Sequence, residues 1–208
     1  MYNLFYYNIN KMNDDVYCDE LKKLSRLRRE EIERKKDLND RKRSLSGEII
    51  VKKYISRLYN IPEDEIIIAK GEHGKPYALN VPAHFSVSHS GDFTVVAISN
   101  EPIGIDCEVI RDFSAIIAHK TFNTSERNYV AGNSANRTKS EMEKAFYEIW
   151  TAKEAYLKYT GQGLSGGINA LSFEGDYNRL KPINQNIELS YDYSIPGAIT
   201  AIVTAKKK

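Results

Sequence analysis

Residues 141–159, EMEKAFYEIWTAKEAYLKY, decide how the rest of the chain is read. Met142, Ala145, Phe146 and Ile149 recur on one helical face, while Trp150, Glu154 and Lys158 follow at i, i+4 and i+8 as a second stripe. The helix should stop at Gly161-Gln162-Gly163. Before it, alternation predicts a strand over residues 103–110, then a helix around 114–120 and a polar loop over 132–139. After it, strand patterns occupy 171–173, 187–193 and 198–204, and a Lys-rich tail at 206–208 should fray.

The first half carries the same ingredients. A strand is expected at 3–9, and a charged helix at 19–36 carrying Leu21, Leu24, Leu27 and Ile32. A second helix, capped by Asn39 or Ser44, would hold Leu45, Ile49, Tyr54, Ile55 and Leu58 and end at Asn60-Ile61-Pro62. Strands at 66–69, 83–88 and 93–99 follow, with a turn over 71–76 and a hairpin signal in Ser90-Gly91-Asp92. Each half therefore reads as one long helix with several short strands, an α+β pattern dividing near Glu101-Pro102 into lobes 1–102 and 103–208. An internal repeat is barely visible: Val51-Lys52-Lys53 and Ala152-Lys153-Glu154 occupy similar helical positions, and little else aligns.

Composition narrows the class. Leu, Ile, Val and Phe number 51 of 208 residues, enough for packed cores and against overall disorder. No run reaches the ~18 apolar residues of a membrane span, and the first residues lack the basic flank and cleavage site of a signal peptide. A soluble, cytoplasmic protein is expected, in keeping with only two cysteines, Cys18 and Cys107. The net charge of +2 hides a basic segment, residues 22–43, with eleven Lys or Arg against five Asp or Glu. Such a segment fits a solvated helix surface or a partner bearing phosphates.

Three stretches can carry chemistry. In Ile103-Gly104-Ile105-Asp106-Cys107-Glu108-Val109, an extended chain sends Ile103, Ile105, Cys107 and Val109 to one face and Asp106 and Glu108 to the other. Two carboxylates at 4 Å repel by roughly 4 kcal/mol at an effective dielectric near 20, which favours either a hard cation between them or open water. In the long helix, Glu154 and Lys158 form either an ordinary surface ion pair or part of a site. Phe85-Ser86-Val87-Ser88-His89-Ser90 offers hydroxyls and an imidazole that suit phosphate oxygens or simply end a hairpin, and Lys75 sits in the turn Gly74-Lys75-Pro76. No P-loop, G-x-G-x-x-G, H-E-x-x-H or G-x-S-x-G motif occurs.

In order and combination these motifs resemble the 4'-phosphopantetheinyl transferases, the class that modifies carrier domains of peptide and polyketide synthases. The resemblance runs from about Leu27 to Phe173. It rests on Gly74-Lys75-Pro76, Phe85 to Ser90, Gly104-Ile105-Asp106-Cys107-Glu108, Phe122 with Glu126, and Trp150-Thr151-Ala152-Lys153-Glu154-Ala155-Tyr156-Leu157-Lys158. It implies two similar α+β lobes about a pseudo-twofold axis with coenzyme A in the cleft between them. It also implies Mg2+ on Asp106, Glu108 and Glu154, with Glu154 taking the proton of a carrier serine and Lys158 neutralising the diphosphate. By the same likeness Lys75, Ser88, His89 and Lys153 contact coenzyme A, Arg43 and Ser44 lie near its adenine, and Arg28 and Lys36 meet its 3'-phosphate. Glu31 stands where a phosphate-binding lysine is common, and Ser86 replaces a frequent asparagine.

An acyl or peptidyl carrier protein is the implied partner, docking near residues 111–122 of a monomer that binds neither membrane nor nucleic acid stably. Two other readings stay open: another magnesium-dependent phosphotransferase or phosphodiesterase, and a nucleic-acid-binding protein that uses the basic segment.

Overall fold

The computed structural model describes residues 1–132, 137–163, 167–176 and 179–206. They group into two compact units, Met1–Gly71 with Pro76–Glu101, and Glu72–Lys75 with Pro102–Lys208. The turn carrying Lys75 thus groups with the second unit, where a cut at residue 102 had put it in the first. Residues 133–136 of the expected polar loop lie outside the described residues, as do Lys207 and Lys208 of the tail.

The first unit runs β1 (Tyr2–Asn8), α1 (Asp14–Lys22), α2 (Arg26–Glu33), α3 (Leu38–Tyr59), β2 (Ile68–Lys70), β3 (Pro76–Ala78), β4 (His84–Ser90) and β5 (Phe93–Ser99). The single charged helix expected over 19–36 is two helices. The Ser25 side chain accepts from the Arg28 amide at 3.3 Å and starts a new helix where the old one ends on Glu20 and Leu21 carbonyls. Leu27 consequently faces solvent instead of the core. Neither Asn39 nor Ser44 caps α3; the Asp37 carboxylate does, accepting from the Asp40 amide at 3.0 Å, and Asn60 closes the helix in the left-handed region.

Antiparallel strands are ordered β1-β5-β4, with β2 and β3 forming a separate hairpin. Val51 and Ile55 of α3 pack on Val96, Ile98 and Phe85 of this sheet. Gly47 lets the helix come close: a Cβ there would lie 3.0 Å from Val87 Cγ1.

The second unit repeats that plan: β6 (Ile103–Val109), α4 (Ala115–Thr121), α5 (Thr124–Ala131), α6 (Lys139–Thr160), β7 (Phe173–Gly175), β8 (Leu180–Pro182), β9 (Ile187–Asp192) and β10 (Ala198–Ala205). Its three-stranded antiparallel sheet has the order β6-β10-β9. In both units, then, a first strand, two short helices, a 22-residue helix, a small hairpin and a second hairpin follow one another, and the last strand lies central. The long helix even begins at the same distance from the first strand, Tyr2 to Leu38 and Ile103 to Lys139. The α+β class holds, and the repeat is written in topology rather than in side chains.

Thr138 and Glu141 close a capping box at the start of α6, and Gly161 ends the helix in the left-handed region. Of the expected core-facing side, Ala145, Phe146 and Ile149 are buried and Met142 is partly buried, and with Ala152 and Ala155 they pack with Ile199, Ala201 and Val203, one face of β10. Helix α5 and strand β8 went unpredicted, although Asn123 and Glu126 form a capping box that the sequence already displays.

One contact governs the unit. At Gly104 the backbone of α6 lies directly on β6: a Cβ there would overlap the Ala155 carbonyl oxygen and the Tyr159 nitrogen and lie 2.7 Å from the Tyr159 Cα. Because these are backbone atoms, no side-chain rotation relieves the clash. Gly104→Ala should therefore destabilise the protein by about 1–3 kcal/mol or more, read as a lower urea midpoint at unchanged slope. An unchanged midpoint would mean that α6 stands off from β6.

Candidate active site

The face of β6 that meets α6 is the one bearing Gly104, Asp106 and Glu108, since residues two apart point the same way. Ile103, Ile105 and Cys107 occupy the other face and are buried. Burial pushes the Cys107 thiol up to about 11, so it remains protonated and faces away from the carboxylates.

Asp106 is only 6% exposed, and its Oδ1 accepts from Lys158 Nζ at 2.8 Å. This is not a pair of acids in open water. Glu154, one turn before Lys158, is half-buried. Its carboxyl is raised above the ordinary range first by burial and then by the charge of Asp106, with Lys158 opposing and Glu108 adding to the rise. Lys75 belongs to the same group: Nζ donates to the Ile103 carbonyl at 3.1 Å, and burial, with the Lys158 charge beside it, lowers its ammonium to about 8. The second unit thus brings together Asp106, Glu108, Glu154, Lys158 and Lys75.

Oxygen donors that already repel one another suit a hard divalent cation in chemistry. Among the described residues, though, no group of three or more His, Cys, Asp or Glu side chains is arranged to hold a metal ion as it stands. Lys158 supplies the counter-charge to Asp106 instead.

Lys153 is elsewhere. Next to Glu154 in sequence but about 100° around the helix, it is 1% exposed, with Nζ 3.0 Å from Glu126 Oε1 and donating to the Leu171 carbonyl at 2.8 Å. The same Glu126 carboxylate accepts from the Asn123 and Phe173 amides at 2.8 and 3.0 Å. The expectation that Lys153 touches phosphate is corrected: its ammonium is held inside the unit, tying α6 to α5 and to the start of β7. Glu126 was named only as a motif residue, and its role could have been suspected from the capping box.

The first unit gathers a second group. A cleft between α3 and the sheet is lined by Arg28, Arg43, Ser44 and His89, with Glu48 and the apolar side chains Val51, Phe85 and Val87. Four expected contacts of coenzyme A are brought together there. Lys36 is exposed and does not line the cleft, and Ser88, with Ser86, lies on the face of β4 opposite His89 and is buried. Glu48, whose carboxylate receives Arg28 Nε at 2.5 Å, was missed because a lone Glu in a helix carries no motif.

Part of the basic segment is paired with acids inside it and just before it. Lys22 pairs with Asp19, Lys23 with Glu20, Arg26 with Glu30, and Arg43 with Asp40.

Two outcomes are expected. Lys153→Met should cost about 3–5 kcal/mol by leaving a buried carboxylate unpaired, and adding Glu126→Gln should restore part of that loss in urea titrations. Equal loss in single and double variants would deny the coupling. For Lys75, the folded ammonium titrates near 8 against a lysine's ordinary 10.5. Between those values the unfolded chain holds a proton that the folded one lacks, so this group makes stability rise with pH. The stability of the wild type relative to Lys75→Met should therefore grow from pH 8 to pH 10, and a constant difference would contradict it.

Residues 102–195 match the model of the 4'-phosphopantetheinyl transferase superfamily, and residues 13–101 match the N-terminal model of 4'-phosphopantetheinyl transferase. The 4'-phosphopantetheinyl transferase psf-1 of Bacillus pumilus is 33% identical over 180 residues, 84% of this chain and 76% of the relative. The 4'-phosphopantetheinyl transferase gsp of Aneurinibacillus migulanus is 37% identical over 147 residues, 71% of this chain and 59% of the relative. The 4'-phosphopantetheinyl transferase Sfp of Bacillus subtilis is 34% identical over 146 residues, 70% and 63% of the two chains. The match thus spans less than two thirds of two of these relatives. With both units covered by the matching models, the chain belongs to the 4'-phosphopantetheinyl transferase superfamily.

Proposed function

We propose that the protein transfers the 4'-phosphopantetheine group of coenzyme A to a serine hydroxyl of an acyl or peptidyl carrier protein. The apo carrier becomes holo, and adenosine 3',5'-bisphosphate is released. The observation that carries this reading is the grouping of Asp106, Glu108 and Glu154 with Lys158 and Lys75 on one side of the second unit. Acids that favour a cation stand beside ammonium groups that favour a diphosphate. The names of the relatives support the same activity.

Asp106, Glu108 and Glu154 would hold Mg2+, which when bound neutralises diphosphate oxygens and so eases phosphoryl transfer. The chain's own groups do the rest. Glu154, made more basic by burial and by Asp106, accepts the proton of the serine hydroxyl as its oxygen bonds to the β-phosphorus. The bond from that phosphorus to the bridging oxygen breaks, and the bisphosphate leaves with the electron pair. Lys158 and Lys75 offset the charge that gathers on the diphosphate. Arg28, Arg43, Ser44 and His89 receive the nucleotide; Lys153 takes no part in binding.

The carrier is assigned to residues 111–122, where Ile116 and Ile117 are exposed and Arg111, Phe113 and Ile117 border a hollow with Trp150 and Glu108. A basic residue beside exposed apolar ones fits the acidic surface of a carrier domain. The protein would act in the cytoplasm as a single chain; no described helix is long and apolar enough to cross a membrane.

The test is direct. Incubated with an apo carrier domain, coenzyme A and Mg2+, the protein should add one phosphopantetheine to the carrier mass. Asp106→Ala and Glu154→Ala should abolish the addition, and EDTA should suppress it in the wild type. A full mass gain by either variant would remove that carboxylate from the chemistry, and a gain undiminished by EDTA would remove the metal.

A further inference from the structure

We infer that Gly163, with Gly161 beside it, is a positioning residue for the reaction: the chain just past α6 is a bare seat on which the turn 72–75 rests, and that seat holds Lys75 in the cluster of acids and ammonium groups. The inference rests on the transferase reading above and concerns what places one cation of that site.

Lys75 needs such a seat. Its turn joins β2 to β3, strands of the first unit, yet residues 72–75 group with the second. The 3.1 Å bond from Nζ to the Ile103 carbonyl lies at the end of a flexible four-carbon stem, so it does not by itself fix the backbone of the turn. The Lys158 charge repels the Lys75 ammonium, which favours a turn that swings away. Packing has to oppose that tendency.

The seat is made by the absence of side chains. Gly161 ends α6 in the left-handed region, one turn beyond Lys158, and its place as a helix cap accounts for it. Gly163 has no such reason, because a helix needs one glycine stop and not two. Its φ of +58° is one that asparagine also adopts. What bars a side chain is the turn: a Cβ on Gly163 would lie 3.0 Å from the His73 Cβ and 3.3 Å from the His73 carbonyl oxygen, closer than packed atoms come at their optimum. A Cβ on Gly161 would meet the Lys75 Cδ at 3.9 Å. His73 thus rests on one glycine and the stem of Lys75 passes the other, two residues apart in each segment. Whatever lifts His73 lifts Lys75 with it.

The experiment uses the full chain with Gly163→Asn, whose side chain suits the local backbone but presses on His73, and a double variant that adds His73→Gly and clears the contact. With an apo carrier domain, Gly163→Asn should raise the KM for coenzyme A about tenfold while kcat stays within about threefold, and the double variant should recover much of the loss. Strain confined to residue 163 would burden both variants alike, so a double variant no better than the single one overturns the inference, as does an unchanged KM. Gly163→Ala adds only a methyl group and should show the same pattern more weakly, which keeps the test decisive if the asparagine variant does not fold. Trace acetylation of Lys75 read by mass spectrometry follows the seat without turnover. The wild-type amine should titrate near 8, move toward the ordinary 10.5 in Gly163→Asn as the turn lifts into water, and return in the double variant. One value in all three proteins overturns the inference and leaves the transferase reading standing. No transfer by the wild type overturns the transferase reading, and the labelling still decides whether the glycines seat the turn.

Discussion

The absence of a side chain at Gly104 is the constraint from which the second unit follows. Only a residue without Cβ lets the backbone of α6 rest on β6 between Ala155 and Tyr159. That contact fixes both the height and the roll of the helix, so Glu154 and Lys158 come down on the face of Asp106 and Glu108. Were the helix farther off by the thickness of a methyl group, the 2.8 Å bond from Lys158 to Asp106 would lengthen and the like charges around Glu154 would be diluted by water. The hydrophobic packing of Ala152 and Ala155, both small, serves the same closeness from within.

The first unit provides a natural comparison, because its strand and long helix begin with the same separation. Where the second unit has Gly104 the first has Asn3, and where it has Asp106 and Glu108 the first has Phe5 and Tyr7. Lys53 and Arg57 stand at the helical positions of Glu154 and Lys158. With a side chain at Asn3 the helix is met through side chains: Asn3 Nδ2 donates to Tyr54 Oη at 2.5 Å, and Phe5 packs edge-on to Tyr54 with ring centres 5.0 Å apart. One topology thus supports an aromatic filling in one unit and a cluster of acids in the other. The glycine goes with the acids, and function lives in the substitutions made on a shared frame.

How much of this could be read beforehand depends on whether the signal was local. The long helix, its glycine stop and the strand hairpin that turns at Gly91 are all set by near neighbours, and each is found. The break between α1 and α2 is local too, a serine cap hidden among eleven basic residues whose helix propensity masked it. Lys75 is visible as a turn lysine, but the group it joins was out of reach of such reading: its turn groups with the second unit through a contact to Ile103 that no spacing announces. So were the partners of Arg28, since a helix surface states its charges but not which of them meet.

Lys153 and Glu154 make the general point most sharply. A motif presents them as one functional word, yet an α-helix turns consecutive residues through 100°, so two neighbours cannot both face a site on one side. If Glu154 faces Asp106, Lys153 must face elsewhere, and the side left to it is the interior of the unit. A lysine there needs a carboxylate, and the one that meets it must come from an element packed on that side of α6. Glu126 is that residue, held by the cap of its own helix. The buried pair is therefore a consequence of where Glu154 points: the chemistry on one face of the helix dictates an ion pair on the other, and both residues belong in the motif for different physical reasons.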